Sequence, residues 1–130
     1  MSVDLKAKPF YLTDEDIQWV EKTIANMSLE EKIGQLFVNM GSSRDEQYLK
    51  DVVNKYHIGA VRYNPASAAE VYEQNRILQE NSKIPLLISA NIEAGGNGAC
   101  TDGTEIGVQV KIASTNDPQN GLMKWDVWAA

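Results

Sequence analysis

IPLLISANIEAGGNG, residues 84–98, is the stretch whose reading decides the fold. Pro85 opens it, and the mostly apolar run Leu86 to Ala90 follows. A run without polar alternation suits a strand covered on both faces, as in a parallel sheet flanked by helices. It then breaks into Asn91-Ile92-Glu93 and the glycines Gly95, Gly96 and Gly98. One acidic side chain therefore stands where a buried strand should end, on a loop able to bend sharply. In α/β proteins ligands bind at the carboxyl ends of the strands. Asn91 and Glu93 are the candidate ligand-contacting residues.

Working back from this stretch, Ser67 and Glu70 form a capping box that opens a helix ending near Asn81, with Val71, Tyr72, Asn75 and Leu78 on one face. Before it lies a strand candidate, Ile58 to Tyr63. A helix from about Arg44 to Tyr56 precedes that, burying Leu49, Val52, Val53 and Tyr56. Another short strand, Leu36 to Met40, comes before the helix. Ser28 with Glu31 and Thr13 with Asp16 are further capping boxes. The first leads into Leu29, Ile33 and Leu36, and the second into Ile17, Val20 and Ile24. Strand, helix, strand, helix, strand in close succession predicts a parallel sheet, in chain order, with right-handed crossovers. Downstream, Ile106, Val108, Val110 and Ile112 alternate as a strand does. Asn116-Asp117-Pro118 reads as a turn or helix start, and the tail carries Trp125 and Trp128 with no clear cap.

The chain has 130 residues, 43% hydrophobic and 23% charged, which suits one folded domain. Its net charge of -6 argues against a nucleic-acid partner, which needs clustered Lys and Arg. Cys100 is the only cysteine, so no intrachain disulfide forms and nothing points to an oxidising compartment. No apolar stretch approaches the ~20 residues of a membrane span, and the start lacks a signal-peptide core. The expectation is a cytoplasmic protein without membrane or nucleic-acid partners.

Glu93 carries the main chemical interest. A carboxylate accepts hydrogen bonds from two hydroxyls at once, as a sugar ring requires, or serves as general acid or base. The plainer alternative is a loop glutamate in solvent or a helix cap. Gly95, Gly96 and Gly98 fit neither the dinucleotide fingerprint nor the P-loop, and read as a structural turn rather than a phosphate cradle. Asp102 and Glu105 follow closely, offering paired carboxylates or solvated loop acids. His57 is the single histidine, so a packed or capping role outweighs metal binding. Cys100 reads as a small buried residue. No cofactor or metal is expected.

MSLEEKIGQLFV at 27–38, HIGAVRYN at 57–64, the run from Asn75 to Ala99 and IASTNDP at 112–118 together resemble the start of glycoside hydrolase family 3, in the flavour of its β-N-acetylhexosaminidases. The resemblance implies a TIM-like barrel that removes terminal β-linked sugars with retention. It implies a nucleophilic aspartate late in the barrel and a histidine-aspartate dyad on a mid-barrel loop, and neither segment lies in these 130 residues. The family's sugar-binding aspartate, in an Asp-x-Glu-Gly-Gly setting, falls without gaps on Ile92, with Glu93 and Ala94 following. The carboxylate has thus moved by one position or been replaced, and Glu93 and Asn91 are the substrate-binding candidates. A carbohydrate is the expected substrate, and no catalytic residue is assigned within the chain.

A full barrel takes about 250 residues in eight strand–helix units. Three units are legible here. The expected architecture is α/β, equal to the first part of a (β/α)8 barrel and incomplete. A lead-in and helix occupy 1–26, the family-like region 27–118, and a divergent tail 119–130. A glycosidase fragment inactive on its own is expected, with a non-catalytic sugar-binding remnant or a purely structural fragment as the alternative. Open sheet edges predict self-association.

Overall fold

The computed structural model describes residues 3–129. Helices α1 (Asp14–Ala25) and α2 (Leu29–Gly34) lead into β1 (Val38–Gly41), α3 (Glu46–Asn54), β2 (Ala60–Tyr63), α4 (Ala68–Asn81) and β3 (Leu87–Ser89). A 3-10 turn (Gly96–Gly98) and helices α5 (Gln109–Ala113) and α6 (Pro118–Ala129) follow. The three strands form one parallel sheet in the order β1-β2-β3, aligning Val38 with Ala60 and Leu87, and Asn39 with Val61 and Ile88. The parallel, in-order strands alternating with helices are those of the first part of a (β/α) barrel.

Local chemistry explains where the elements begin. The three predicted capping boxes are all formed, at Thr13 with Asp16, Ser28 with Glu31 and Ser67 with Glu70. The Asp45 side chain caps α3 by accepting from the Tyr48 N–H. A monotonic strand order with right-handed crossovers sets α3 and α4 on the same face of the sheet. That face holds the core: Leu49, Val52 and Val53 of α3, Ile77 and Leu78 of α4, with Ile58, Val61 and Leu86.

Several expectations shift. β1 starts two residues late because the Leu36 and Phe37 N–H groups close a turn onto Ile33 and Gly34 carbonyls. β3 starts at Leu87 because the Gln79 side chain takes both backbone groups of Leu86, at 3.0 Å each. The buried face of α4 is Val71, Gln74, Ile77 and Leu78, whereas Tyr72 is exposed, so the apolar stripe is rotated by about one position from the predicted one. Tyr56, expected in the core, lies past the end of α3 and is exposed. Helix α1 has no fully buried residue, although Ile17 and Val20 are half-covered.

Two corrections bear on the sheet. The run Leu86 to Ala90 is covered on one face only. Leu86 is buried and Ile88 half-buried, but Leu87 is 75% exposed. Its same-face neighbours across the sheet, Val38 and Met40, are 58% and 61% exposed. This is the face that a closed barrel turns inward. Second, 106–112 is not a strand. Gly107 takes φ of 108°, the Ile106 and Gly107 N–H groups both donate to the Ala94 carbonyl, and α5 begins at Gln109. The alternation at 106–112 had no sheet edge within reach, and the left-handed glycine breaks it. Among the described residues no fourth strand covers β1 or β3.

Candidate functional site

In a parallel sheet all strands deliver their following loops to one end. Here these are the segments after Gly41, Tyr63 and Ser89. The post-β3 segment, 90–107, is the longest and is pinned at several points. Gly95 sits at φ of 129°, and a Cβ there would lie 2.5 Å from the Thr104 carbonyl oxygen, so only glycine fits. Gly98 lies so close to the Asn91 carbonyl that a Cβ would stand 1.7 Å from its oxygen. The glycines therefore shape a turn, as predicted. The N–H groups of Asn97, Gly98, Ala99 and Cys100 all bond to carbonyls inside the loop, which leaves them unavailable as a phosphate cradle.

Asp102 has a structural task. Its carboxylate accepts from the Ala68 N–H at 3.0 and 3.2 Å, completing the start of α4, while the Thr101 N–H donates to the Ala66 carbonyl at 2.7 Å. Of the two loop acids, Asp102 is engaged at α4, and Glu105 is exposed beside Gly95. Cys100 is half-buried rather than buried and shares the backbone bridge to Ala66. His57 is half-buried with φ of 52° just past α3, and its carbonyl accepts from the Gln35 side chain at 2.8 Å. Among the described residues no three His, Cys, Asp or Glu side chains gather as metal ligands.

Asn91 and Glu93 are both exposed at the C-terminal end of β3, together with Ile92 between them and with Glu105 further along the loop. Glu93 is held through its backbone. Its carbonyl accepts from the Lys124 Nζ at 2.9 Å, and the same ammonium donates to the Gly107 carbonyl at 2.7 Å. Lys124 is only 5% exposed. A buried ammonium therefore ties α6 to both ends of the site loop, a link invisible in sequence because a lone lysine in GLMKW gives no hint of burial. Helix α6 itself starts at Asp117-Pro118, with the Asp117 carboxylate accepting from the Gln119 N–H at 2.9 Å. Proline at the first helical position after an aspartate cap is the readable signal for it. The side chains of Trp125 and Trp128 lie outside the described residues.

The second strand adds Arg62, a register partner of Ser89 and Met40 on the uncovered sheet face. Its Nη1 donates to Asn64 Oδ1 at 3.0 Å, and Arg44 reaches the carbonyl of the same Asn64. Nearby, the Ser67 hydroxyl and backbone hold the Glu70 carboxyl below its ordinary range, with a smaller contribution from Arg44, and burial pushes the Tyr63 phenol up.

A three-stranded parallel ladder in chain order, with its loops gathered at one end, defines an α/β-barrel segment. The chain belongs to glycosyl hydrolase family 3: the family's N-terminal domain matches residues 28–128. A β-N-acetylglucosaminidase/β-glucosidase of Cellulomonas fimi is 37% identical over 113 residues, covering 87% of this chain and 20% of that protein. The solved β-glucoside phosphorylase BglX bound to 2FGlc is similar with a TM-score of 0.73 at 37% identity, over 88% of this chain and 21% of that one. A second BglX structure gives a TM-score of 0.71 at 38% identity, over 87% and 20%. The chain thus spans about a fifth of the length of these relatives.

Proposed function

We propose that these residues form the opening part of the catalytic barrel of an enzyme acting on terminal β-linked gluco-configured sugars, with N-acetylglucosamine as the finer assignment and retention by double displacement as the mechanism. The observation that carries this is the post-β3 loop, braced by Gly95, Gly98 and Lys124 so that Asn91 and Glu93 face outward at the strand ends. In this reading Glu93 accepts from sugar hydroxyls and Asn91 both donates and accepts. The names of the C. fimi relative and of BglX support a β-glucoside or β-N-acetylglucosaminide substrate, and the second name adds phosphate to water as the group receiving the sugar. The 130 residues alone bind sugar weakly and turn nothing over, because the nucleophile and acid/base segments that the family supplies are not among them.

Titrating the chain with methyl β-glucoside and methyl β-N-acetylglucosaminide, while following backbone amide shifts, tests this. The expected result is saturable movement of the Asn91 and Glu93 amides, reduced in Glu93→Gln, with the N-acetyl sugar moving them more. Absence of movement with either sugar would remove the binding role, and turnover of aryl glycosides lost in Glu93→Gln would make Glu93 catalytic.

A further inference from the structure

The chain carries three arginines and a net charge of -6, so an arginine left without a carboxylate is informative. Arg76 is held by Glu73 and Glu80. Lys6, Lys50, Lys55 and Lys83 also lie in ion pairs. Among the described residues, Arg44 and Arg62 form none, although Arg44 lies near enough to the Glu70 carboxyl to lower it, so Arg62 is the one with no acidic neighbour shown; both arginines attach to one residue, Asn64, on the turn after β2. Arg62 is half-buried and is the one charged member of the sheet face made by Val38, Met40, Ala60, Leu87 and Ser89. A charge placed against apolar neighbours, without a counter-ion, attracts an anion more strongly than a solvated one does. The nearby start of α4 is not the anion's place, since the Asp102 carboxylate already occupies it.

We propose that the Arg62 guanidinium, oriented by Asn64 and backed by Arg44, is a binding subsite for a phosphate-type oxyanion at the C-terminal end of the sheet. The subsite rests on the reading above that this end holds the sugar. The donation from Nη1 to the neutral Asn64 amide fixes the guanidinium plane without consuming its charge. The remaining N–H groups present the fork that matches two phosphate oxygens. The backbone carbonyl of Asn64 is in turn fixed by Arg44, whose Nε is buried, so the turn cannot swing away freely. The anion is either inorganic phosphate or the phosphate of a sugar phosphate, which share this chemistry.

The test is a titration of the 130-residue chain with sodium phosphate, then with glucose 1-phosphate, at constant ionic strength. It is read by phosphorus NMR and by the Arg62 and Asn64 backbone amides. Saturable binding is expected, weakened about tenfold in Arg62→Gln and less in Arg62→Lys, which keeps the charge but not the fork. Arg76→Gln leaves it unchanged. Asn64→Asp, which places a carboxylate against Arg62, abolishes it, and this variant decides the matter should Arg62→Gln lose the amide pattern of the folded core. Tighter binding of glucose 1-phosphate identifies the sugar ester as the source, and equal binding identifies free phosphate. No saturation with either, or undiminished binding in Arg62→Gln or Asn64→Asp, overturns the proposal. The two readings fail separately. Glucoside shifts at Asn91 and Glu93 without phosphate binding would leave the sugar site and remove the anion site. Phosphate binding at Arg62 without glucoside shifts would do the reverse.

Discussion

Replacing Lys124 by Met isolates what holds the site loop. The two side chains have similar length, so the buried stem of Lys124 is largely kept while the ammonium is lost. Two charge-assisted hydrogen bonds disappear, at 2.9 Å to the Glu93 carbonyl and 2.7 Å to the Gly107 carbonyl. Hydrogen bonds to charged groups contribute about 1.5–3 kcal/mol each. Relief from burying a charge returns part of that, so a net local loss of roughly 2–4 kcal/mol is expected. The core of Leu49, Val61 and Leu78 does not involve this contact, so the loss should be confined to the loop. Native-state amide exchange reads it directly. The Ile106 and Gly107 amides, bonded to the Ala94 carbonyl at 2.8 and 2.7 Å, should exchange about 30- to 1000-fold faster, at roughly 1.4 kcal/mol per decade. Val61 and Leu78 should be unchanged within about threefold by the same confinement to the loop. Unchanged exchange at 106 and 107, or an equal loss throughout the core, would refute the claim that this ammonium anchors the loop.

The bare sheet face of Val38, Met40 and Leu87, together with the open strand edges, should drive self-association of the chain. Sedimentation equilibrium should give masses above the monomer, falling in Leu87→Lys, and a clean monomer at high micromolar concentration would contradict this. Gly98→Ala should disrupt the loop because its Cβ would meet the Asn91 oxygen at 1.7 Å; the Asn91 and Glu93 amide shifts report it, and an unchanged spectrum would show the contact to be slack. The carboxyls of Glu70, Asp16 and Glu31 lie below their ordinary range, held chiefly by the Ser67, Thr13 and Lys83 side chains respectively. Groups of depressed pKa stabilise the fold above the unfolded carboxylate value near 4 and lose that contribution as pH falls through the folded value. Denaturation midpoints should therefore drop below about pH 4, less steeply in Glu70→Ala, and a midpoint flat down to pH 3 would contradict the sign.

The sequence by itself determined the elements whose signals are local. A capping box is a three-residue event, so Thr13, Ser28 and Ser67 could be placed without any tertiary information. Strand–helix alternation with short connections then left a parallel sheet in chain order as the reading, and the register confirms it. The turn role of Gly95 and Gly98 was also legible, because few other residues permit such geometry. What only the tertiary structure decided depends on distant partners. Apolar composition in Leu86 to Ala90 could not reveal that Leu87 faces outward, since burial depends on what stands opposite. Alternation at 106–112 could not become a strand without an edge to pair with. Asp102 was an unassigned loop acid until the fold brought it to the Ala68 N–H. Lys124 carried no sequence signal, and only the fold sets its ammonium between the carbonyls of Glu93 and Gly107, whose polar oxygens make burying a cation tolerable there.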